Sequence, residues 1–264
     1  MNLSQSLMSV HGLLADVSVG DHVTRKVFGL SIDADLLWST VVAGIITIAL
    51  GLIVRHQVTS NTSGVPGKFQ LAWEMVVSST SRQVETSIGP RGARIVPLAV
   101  TLFVFILIAN FFTVVGLGAT YDFLLPPAAD INLPLAMALF VIVLVHVSSI
   151  RARGFVGYVK HYVTQPFPIF LFPANIFINF VEELSKPVTL ALRLFGNLLS
   201  GGLMLALLAF LVQWKLGSIP VGGILFVVFD PVWKLFDLAI GVIQAFIFAL
   251  LTILYFDTAM SDVH

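Results

Sequence analysis

One arginine lies in an otherwise apolar stretch of the sequence. Arg193 is surrounded in residues 188–213 by leucine, phenylalanine and other apolar side chains. An arginine at the centre of a membrane helix costs about 2.5–3.5 kcal/mol on insertion scales, and the guanidinium group does not give up its proton to avoid that cost. The charge therefore needs a carboxylate, a water-filled cavity or both. An ionisable residue in such a place is a candidate for moving ions.

Two polar stripes accompany this arginine. At about 100° per residue, the polar residues near Arg193 fall within an arc of roughly 80° on one predicted helix. A second stripe follows the last apolar segment, in a background of phenylalanine, leucine and isoleucine. The first stripe contains Glu182, Lys186, Thr189, Arg193, Asn197 and Ser200, and the second contains Asp230, Lys234, Asp237, Gly241 and Gln244.

The Arg193 charge has two candidate partners. Asp237 is the carboxylate within this chain, and a carboxylate of another subunit is the alternative. A permanent pair with Asp237 would make the arginine structural. Asp230 and Lys234 are four residues apart, a spacing that favours a local ion pair.

Other polar residues have plain structural interpretations. Glu182 and Glu183 either line an ion path or are solvated at the membrane interface. Asn110 is predicted to form a hydrogen bond between helices, and His146 is predicted to face the interface.

The composition places the stripes in a membrane. The 264 residues are 58% hydrophobic and 11% charged, whereas an ordinary soluble domain has about 25% charged residues.

The formal net charge of zero argues against a nucleic-acid partner. Without cysteine, disulfides, thiolate catalysis and cysteine-ligated metals are excluded. The chain has no phosphate-binding loop, so we expect no ATP hydrolysis by the chain alone, and no cofactor or metal.

Six segments are apolar enough for a membrane, which requires about 20 residues per upright helix. The fourth is short and interrupted by prolines, so it is predicted to continue into the fifth as one bent helix. The sixth is too long for an upright span, and Pro231 is predicted to kink it. Residues 69–88 have the pattern of an amphipathic helix on the membrane surface, with an ordinary loop helix as the alternative. The apolar segments are 36–54, 97–118, 133–150, 167–181, 188–213 and 219–256.

The charges of the loops predict an orientation. Five basic residues lie between Arg55 and Arg94, whereas the loop 119–132 holds only acidic charges, Asp122 and Asp130. Basic residues follow the third apolar segment again. By the positive-inside rule the basic loops are cytoplasmic, which places the N-terminus outside and the C-terminus in the cytoplasm.

Two motifs resemble a known family. Residues 185–197 (SKPVTLALRLFGN) closely resemble the signature of subunit a of F-type ATP synthases, and residues 244–252 (QAFIFALLT) resemble its last helix. Residues 126–132 (PPAADIN) and 164–167 (TQPF) add weaker support. The matching segments run in family order from about residue 36 to 258.

The resemblance implies an all-α integral membrane protein whose single membrane domain covers residues 1–264. Its two long helices are strongly tilted and lie against a rotating ring of c subunits. The further partners implied are b-type peripheral stalk subunits and the remainder of the synthase, in a bacterial plasma membrane. The parts are a first span at 36–54, a surface helix at 69–88, a transmembrane hairpin at 97–118 and 133–150, and long helices at 167–213 and 219–257.

The resemblance also implies a function, that of a proton-translocating stator subunit with two offset half-channels and no enzymatic activity of its own. Arg193 corresponds to the essential arginine that faces the ring. The sequence departs from many relatives, which have an acid at the position of Gly202 and a histidine at that of Asp237. The expected path residues are Asp237, Asn197 and Gln244 in the external half-channel, Glu182 and Glu183 near the cytoplasm, and Asp130 at the external entrance. Thr189 matches a polar position that lines the path or accompanies the arginine.

Two other classes of protein are alternatives. A secondary transporter is expected to show internal repeats around a substrate site at the midplane of the membrane, and the sequence shows no clear repeat. A purely structural membrane anchor gives no reason to keep Arg193.

Overall fold

The computed structural model describes residues 24–27, 30–60, 67–115, 126–164, 167, 169–214 and 221–260. Both chain termini and Asp122, on which the predicted orientation partly depends, lie outside these residues. So do Pro166 and Pro168, two of the prolines that interrupt the fourth apolar segment.

The described chain is almost entirely helical. Five of its helices are long and apolar enough to cross a membrane, which confirms the prediction of an all-α integral membrane protein. A short antiparallel hairpin of β1 (Thr24–Val27) and β2 (Leu30–Asp33) precedes the first helix. The sequence patterns did not predict this hairpin. Helix α1 (Ala34–Ser60) follows it directly.

Helix α2 (Lys68–Ile88) is amphipathic, with Val84 buried against α3 and the last helix. It ends at Gly89, whose φ of 77° suits a residue without a side chain. A 3₁₀ turn (Pro90–Arg94) then leads into α3 (Val96–Val115). The location of α2 at the membrane surface stays a prediction.

Helix α4 (Asn132–Thr164) extends well beyond its apolar part. It bends at Gly154, where φ is 72° and ψ is 162°, so the last ten residues form a separate helical arm. A 3₁₀ turn (Ile169–Leu171) connects this arm to the next helix.

Helices α5 (Phe172–Leu211) and α6 (Val221–Met260) each have 40 residues. At 1.5 Å per residue each is about 60 Å long, roughly twice the thickness of the hydrocarbon core. Neither helix fits upright within the bilayer. Buried residues from α3 to α6 form the core, among them Ile106, Val141, Leu190, Leu194 and Phe248.

Candidate functional site

Arg193 projects from α5 away from the core. Leu190 and Leu194, on either side of it, are only 1% and 2% exposed, because the helical period turns them inward. Thr189, one turn earlier, and Ser200, two turns later, are exposed like Arg193. Among the described residues, none forms a hydrogen bond or an ion pair with the Arg193 guanidinium group.

Asp237 is buried where α6 packs against α5, at 7% exposure. Its carboxylate occupies the space beside Gly201: a Cβ atom added there would lie 2.7 Å from Asp237 Oδ1. A Cβ atom added at Gly202 would meet no atom within 4 Å. Gly201, rather than Gly202, therefore faces the acid on α6.

Arg193 and Asp237 do not form an ion pair in the described part of the chain. Gly201, which Asp237 contacts, follows Arg193 by eight residues, about 12 Å along a helix. The structure therefore does not contain the permanent intrachain pair that would make Arg193 a structural charge.

We call three polar residues near the α5–α6 contact the Asp237 cluster: Asp237 and Asn110, which are buried, and Asn197, which is half-buried. Asn110 Nδ2 donates a hydrogen bond to the carbonyl of Gly241, one turn after Asp237, at 3.0 Å. This contact between α3 and α6 confirms the helix–helix bond predicted for Asn110. Asn197 lies one turn before Gly201. Two buried atoms of the cluster, Asn110 Oδ1 and Asn197 Nδ2, have no hydrogen-bond partner among the described residues.

Gln244 and Thr189 lie outside this cluster. Gln244 is half-buried, three residues after Gly241 on α6. The Thr189 hydroxyl donates to the carbonyl of Ser185 at 2.7 Å, so its own helix satisfies it. Thr189 shares the exposed side of α5 with Arg193 and contributes no free donor there.

A second polar region is a cavity of about 350 Å³ between α4, α5 and α6, which we call the Glu183 cavity. Lys186 Nζ lies 3.0 Å from Glu182 Oε1 and 2.9 Å from Glu183 Oε1. The Glu182 side chain is 56% exposed, as expected of a solvated residue, whereas that of Glu183 is 24% exposed. Glu183 is therefore the more enclosed of the two carboxylates.

His146 also lines the Glu183 cavity. Its Nε2 lies 3.5 Å from Glu183 Oε2, and its Nδ1 lies 3.3 Å from the hydroxyl of Tyr158. That His146 faces the membrane interface stays a prediction, but within the chain its ring lies in the cavity rather than on the outer surface. The bend at Gly154 folds the arm of α4 over the histidine, and no periodicity of the sequence shows that bend.

The remaining acidic candidates have local partners. Asp130 accepts hydrogen bonds from the Asn132 backbone NH at 3.2 Å and from Asn132 Nδ2 at 2.7 Å, at the start of α4. It also lines a separate cavity of about 320 Å³ together with Asp33. Asp230 Oδ2 lies 2.7 Å from Lys234 Nζ, which confirms the predicted local ion pair.

The predicted residues thus separate into two regions along α5. Asp237 and Asn197 lie in the Asp237 cluster, and Glu182 and Glu183 line the cavity. Arg193 lies between the two regions on the exposed side of the helix. Sequence reasoning missed the partners that complete the cavity, namely His146, Tyr158, Tyr162 and Tyr255.

Known proteins resemble the chain over most of its length. The profile of a family described as "ATP synthase A chain" matches residues 36–257. The protein "ATP synthase subunit a" of Acidothermus cellulolyticus is 48% identical over 250 residues, which cover 94% of this chain and 85% of that protein. The protein of the same name from Mycobacterium tuberculosis is 44% identical over 259 residues, covering 94% and 95%. That from Mycobacterium leprae is 43% identical over 251 residues, covering 92% and 93%.

Proposed function

The chain belongs to the ATP synthase A chain family, and on this premise we propose that it is the stator subunit through which protons cross the membrane to drive the rotor of an F-type ATP synthase. Its partners are a ring of c subunits, b-type peripheral stalk subunits and the remainder of the synthase. It has no catalytic activity of its own.

The exposed, unpaired guanidinium group of Arg193 carries the proposal. A charge on an apolar helix needs a compensating partner, and the described residues supply none. The proposed partner is therefore a group of another subunit. A carboxylate of a c subunit that passes this side of α5 meets the requirement.

The two polar regions supply the half-channels. Gly201, beside Asp237, follows Arg193 by eight residues, and Glu183 precedes it by ten, which are about 12 Å and 15 Å along a helix. A proton path from outside the cell can therefore end near Asp237, and a path to the cytoplasm can begin near Glu183. Arg193 lies between the two. The arginine keeps them apart.

The cycle follows from these positions. A proton enters from outside through Asp237, Asn197 and Gln244 and neutralises a carboxylate of the ring, which can then turn into lipid. After nearly a full rotation the carboxylate reaches the Glu183 cavity and releases its proton toward the cytoplasm, past Glu182 and Glu183. The nearby charge of Arg193 favours the ionised carboxylate and repels protons that would leak directly between the two paths.

The membrane potential supplies the direction. One elementary charge that crosses 100 mV gains about 2.3 kcal/mol.

The chain sits in the bacterial plasma membrane as a single domain, with its N-terminus outside and its C-terminus in the cytoplasm. Asp130, at the start of α4, then lies on the external side near the channel entrance.

Arg193→Lys tests the proposal. Lysine keeps the charge but loses the planar fork, and it can lose its proton when desolvated, so we expect coupled ATP synthesis to be abolished. ATP synthesis is measured in vesicles that contain the whole complex. Arg55→Lys is the matched control, because Arg55 is exposed near the end of α1 and does not line the Glu183 cavity. Wild-type synthesis by Arg193→Lys would refute the proposal.

A further inference from the structure

His146 holds a position that no part of the proton path described so far explains. It lies in the Glu183 cavity with 29% of its side chain exposed, and each ring nitrogen has an oxygen atom nearby. Nε2 is 3.5 Å from Glu183 Oε2, and Nδ1 is 3.3 Å from the Tyr158 hydroxyl. The imidazole therefore bridges a carboxylate of α5 and a phenol of the α4 arm.

We propose that His146 exchanges protons in the Glu183 cavity, passing each proton between Glu183 and the Tyr158 side on its way to the cytoplasm. The proposal rests on the function proposed above, since it names a residue of the exit path. Histidine suits the task because it gains and loses its charge between about pH 5 and 8.

Glu183 interacts with Lys186 of its own helix and with two groups of α4, the His146 ring and the Tyr162 phenol. Its Oε1 is held by Lys186 at 2.9 Å. Its Oε2 is buried and makes no hydrogen bond to a described residue, and the nearest charged partner is His146 Nε2. One carboxylate oxygen is thus neutralised by a permanent cation, and the other faces a group whose charge can change.

The bend of α4 builds this arrangement. Twelve residues separate His146 from Tyr158, which on a straight helix is about 18 Å. The positive φ of Gly154 reverses the arm and brings the phenol to the imidazole. Asn179 on α5 holds the arm in place by donating to the carbonyl of Tyr162 at 2.8 Å.

Other ionisable groups also face His146 across the cavity. Lys186 bridges Glu182 and Glu183. With Arg153, which also lines the cavity, the two carboxylates and two cations sum to zero net charge. Tyr162 of the arm lies next to Tyr158, with ring centroids 4.9 Å apart, and Tyr255 lines the cavity from α6. Arg153 and His161 complete the lining from α4, and Arg153 donates to the carbonyl of Thr258 at 3.3 Å.

The proton transfer conserves atoms and charge. When Nε2 is unprotonated, it faces Glu183 Oε2, and Nδ1–H donates to the Tyr158 hydroxyl. A protonated Glu183 gives its proton to Nε2, which makes both ring nitrogens donors, and Nδ1 then releases its own proton to cavity water on the Tyr158 side. The ring is left as the Nε2–H tautomer, and loss of that proton and uptake of another at Nδ1, both through cavity water, restore the first state.

His146→Gln tests the proposal, because glutamine keeps a hydrogen-bonding side chain and cannot carry the proton. Passive proton flux through the membrane sector is measured in inverted vesicles stripped of the catalytic sector, while the pH on the cytoplasmic face is varied between about 5 and 8. We expect the wild-type flux to show an inflection in that range. The variant should lose the inflection and conduct about a hundredfold more slowly, since it lacks a positioned proton carrier.

The matched control is His56→Gln, which removes an exposed histidine near the end of α1 and leaves the cavity intact. It should keep the wild-type flux and inflection. A His146→Gln complex with wild-type flux and an unchanged inflection would overturn the inference. If Arg193→Lys abolishes ATP synthesis in vesicles that keep the whole complex, a wild-type flux and inflection in His146→Gln would reject the role of His146 alone and leave the proposed function standing.

Tyr158→Phe covers the case in which His146→Gln fails to assemble with the c ring. Phenylalanine preserves the ring of the arm and removes only the hydroxyl partner of Nδ1. The inflection should move along the pH axis while the complex stays assembled. An inflection at the wild-type pH would contradict the inference.

Discussion

The carboxylate of Asp237 on α6 lies in space that exists because residue 201 on α5 is glycine. A Cβ atom added at Gly201 would be 2.7 Å from Asp237 Oδ1, whereas one added at neighbouring Gly202 would meet nothing within 4 Å. Of these two neighbouring glycines, only Gly201 provides the space that the Asp237 carboxylate occupies.

Gly201→Ala should slow proton uptake while the complex still assembles. The added methyl group forces Asp237 Oδ1 to turn aside, and Oδ1 is at the end of a side chain, so the backbone need not move. Overpacking of this kind costs about 1–3 kcal/mol of stability, and the displaced carboxylate should pass protons more slowly. ATP-driven proton pumping into inverted vesicles measures the effect. Gly202→Ala is the control, and equal loss of pumping in both variants would contradict the role of Gly201.

Asp237→Asn should slow pumping further without loss of the c ring from the complex. The amide keeps the shape of the side chain but cannot carry a proton, and a positioned acid or base contributes about a hundredfold or more. Asp230→Asn is the matched control on the same helix, since its ion pair with Lys234 at 2.7 Å is a local contact worth about 0.3–0.5 kcal/mol. Pumping at the wild-type rate by Asp237→Asn would remove Asp237 from the path.

Gly154→Ala should destabilise the arm of α4. Its φ of 72° with ψ of 162° costs a residue with a side chain about 1–3 kcal/mol, although a Cβ atom at this position meets nothing within 4 Å. The cost is therefore conformational rather than steric. We expect a lower temperature of dissociation for the detergent-solubilised complex. Gly51→Ala, on α1 with equally open space, should leave that temperature unchanged or raise it, and the same decrease in both variants would argue against a special role of Gly154.

Asn175→Ala should loosen the connection between α4 and α5. The fully buried Asn175 side chain accepts from the Phe167 backbone NH and donates to the carbonyls of Val163 and Phe167, at 3.0, 2.9 and 2.7 Å. Each buried backbone group left without a partner costs about 1–3 kcal/mol.

Limited proteolysis of the assembled complex measures this effect. Cleavage between α4 and α5 should become faster in Asn175→Ala than in Thr59→Ala, whose exposed hydroxyl bonds only within its own helix. Equal cleavage rates in the two variants would show that Asn175 does not hold the connection.

Helices and their polar faces could be predicted because they depend on local composition and period. The position of Arg193 outside the core follows from Leu190 and Leu194, which a helix of 3.6 residues per turn directs inward. The ion pair of Asp230 and Lys234 follows from a spacing of four residues. Each of these features is determined within one helix.

Contacts between helices could not be predicted in the same way. Asp237 meets Gly201 rather than Gly202 because of the rotation of α5 against α6, which neither helix specifies alone. His146 was assigned to the interface because its own helix shows only an apolar segment near its end. Its partner Tyr158 lies beside it because the helix bends at Gly154. A glycine inside a helical sequence pattern does not by itself indicate that its φ is positive.

The central claim is that the exposed side of α5 around Arg193 meets a moving carboxylate of the c ring. The chain contains no cysteine, so single cysteines can be introduced at Thr189 and Ser200, which are exposed, and at Leu190 and Leu194, which are buried. Oxidative cross-linking to a cysteine beside the carboxylate on the outer helix of the ring is then measured in the assembled complex. We predict cross-links from Thr189→Cys and Ser200→Cys and none from the buried pair. An intact complex in which neither exposed position cross-links would contradict the claim.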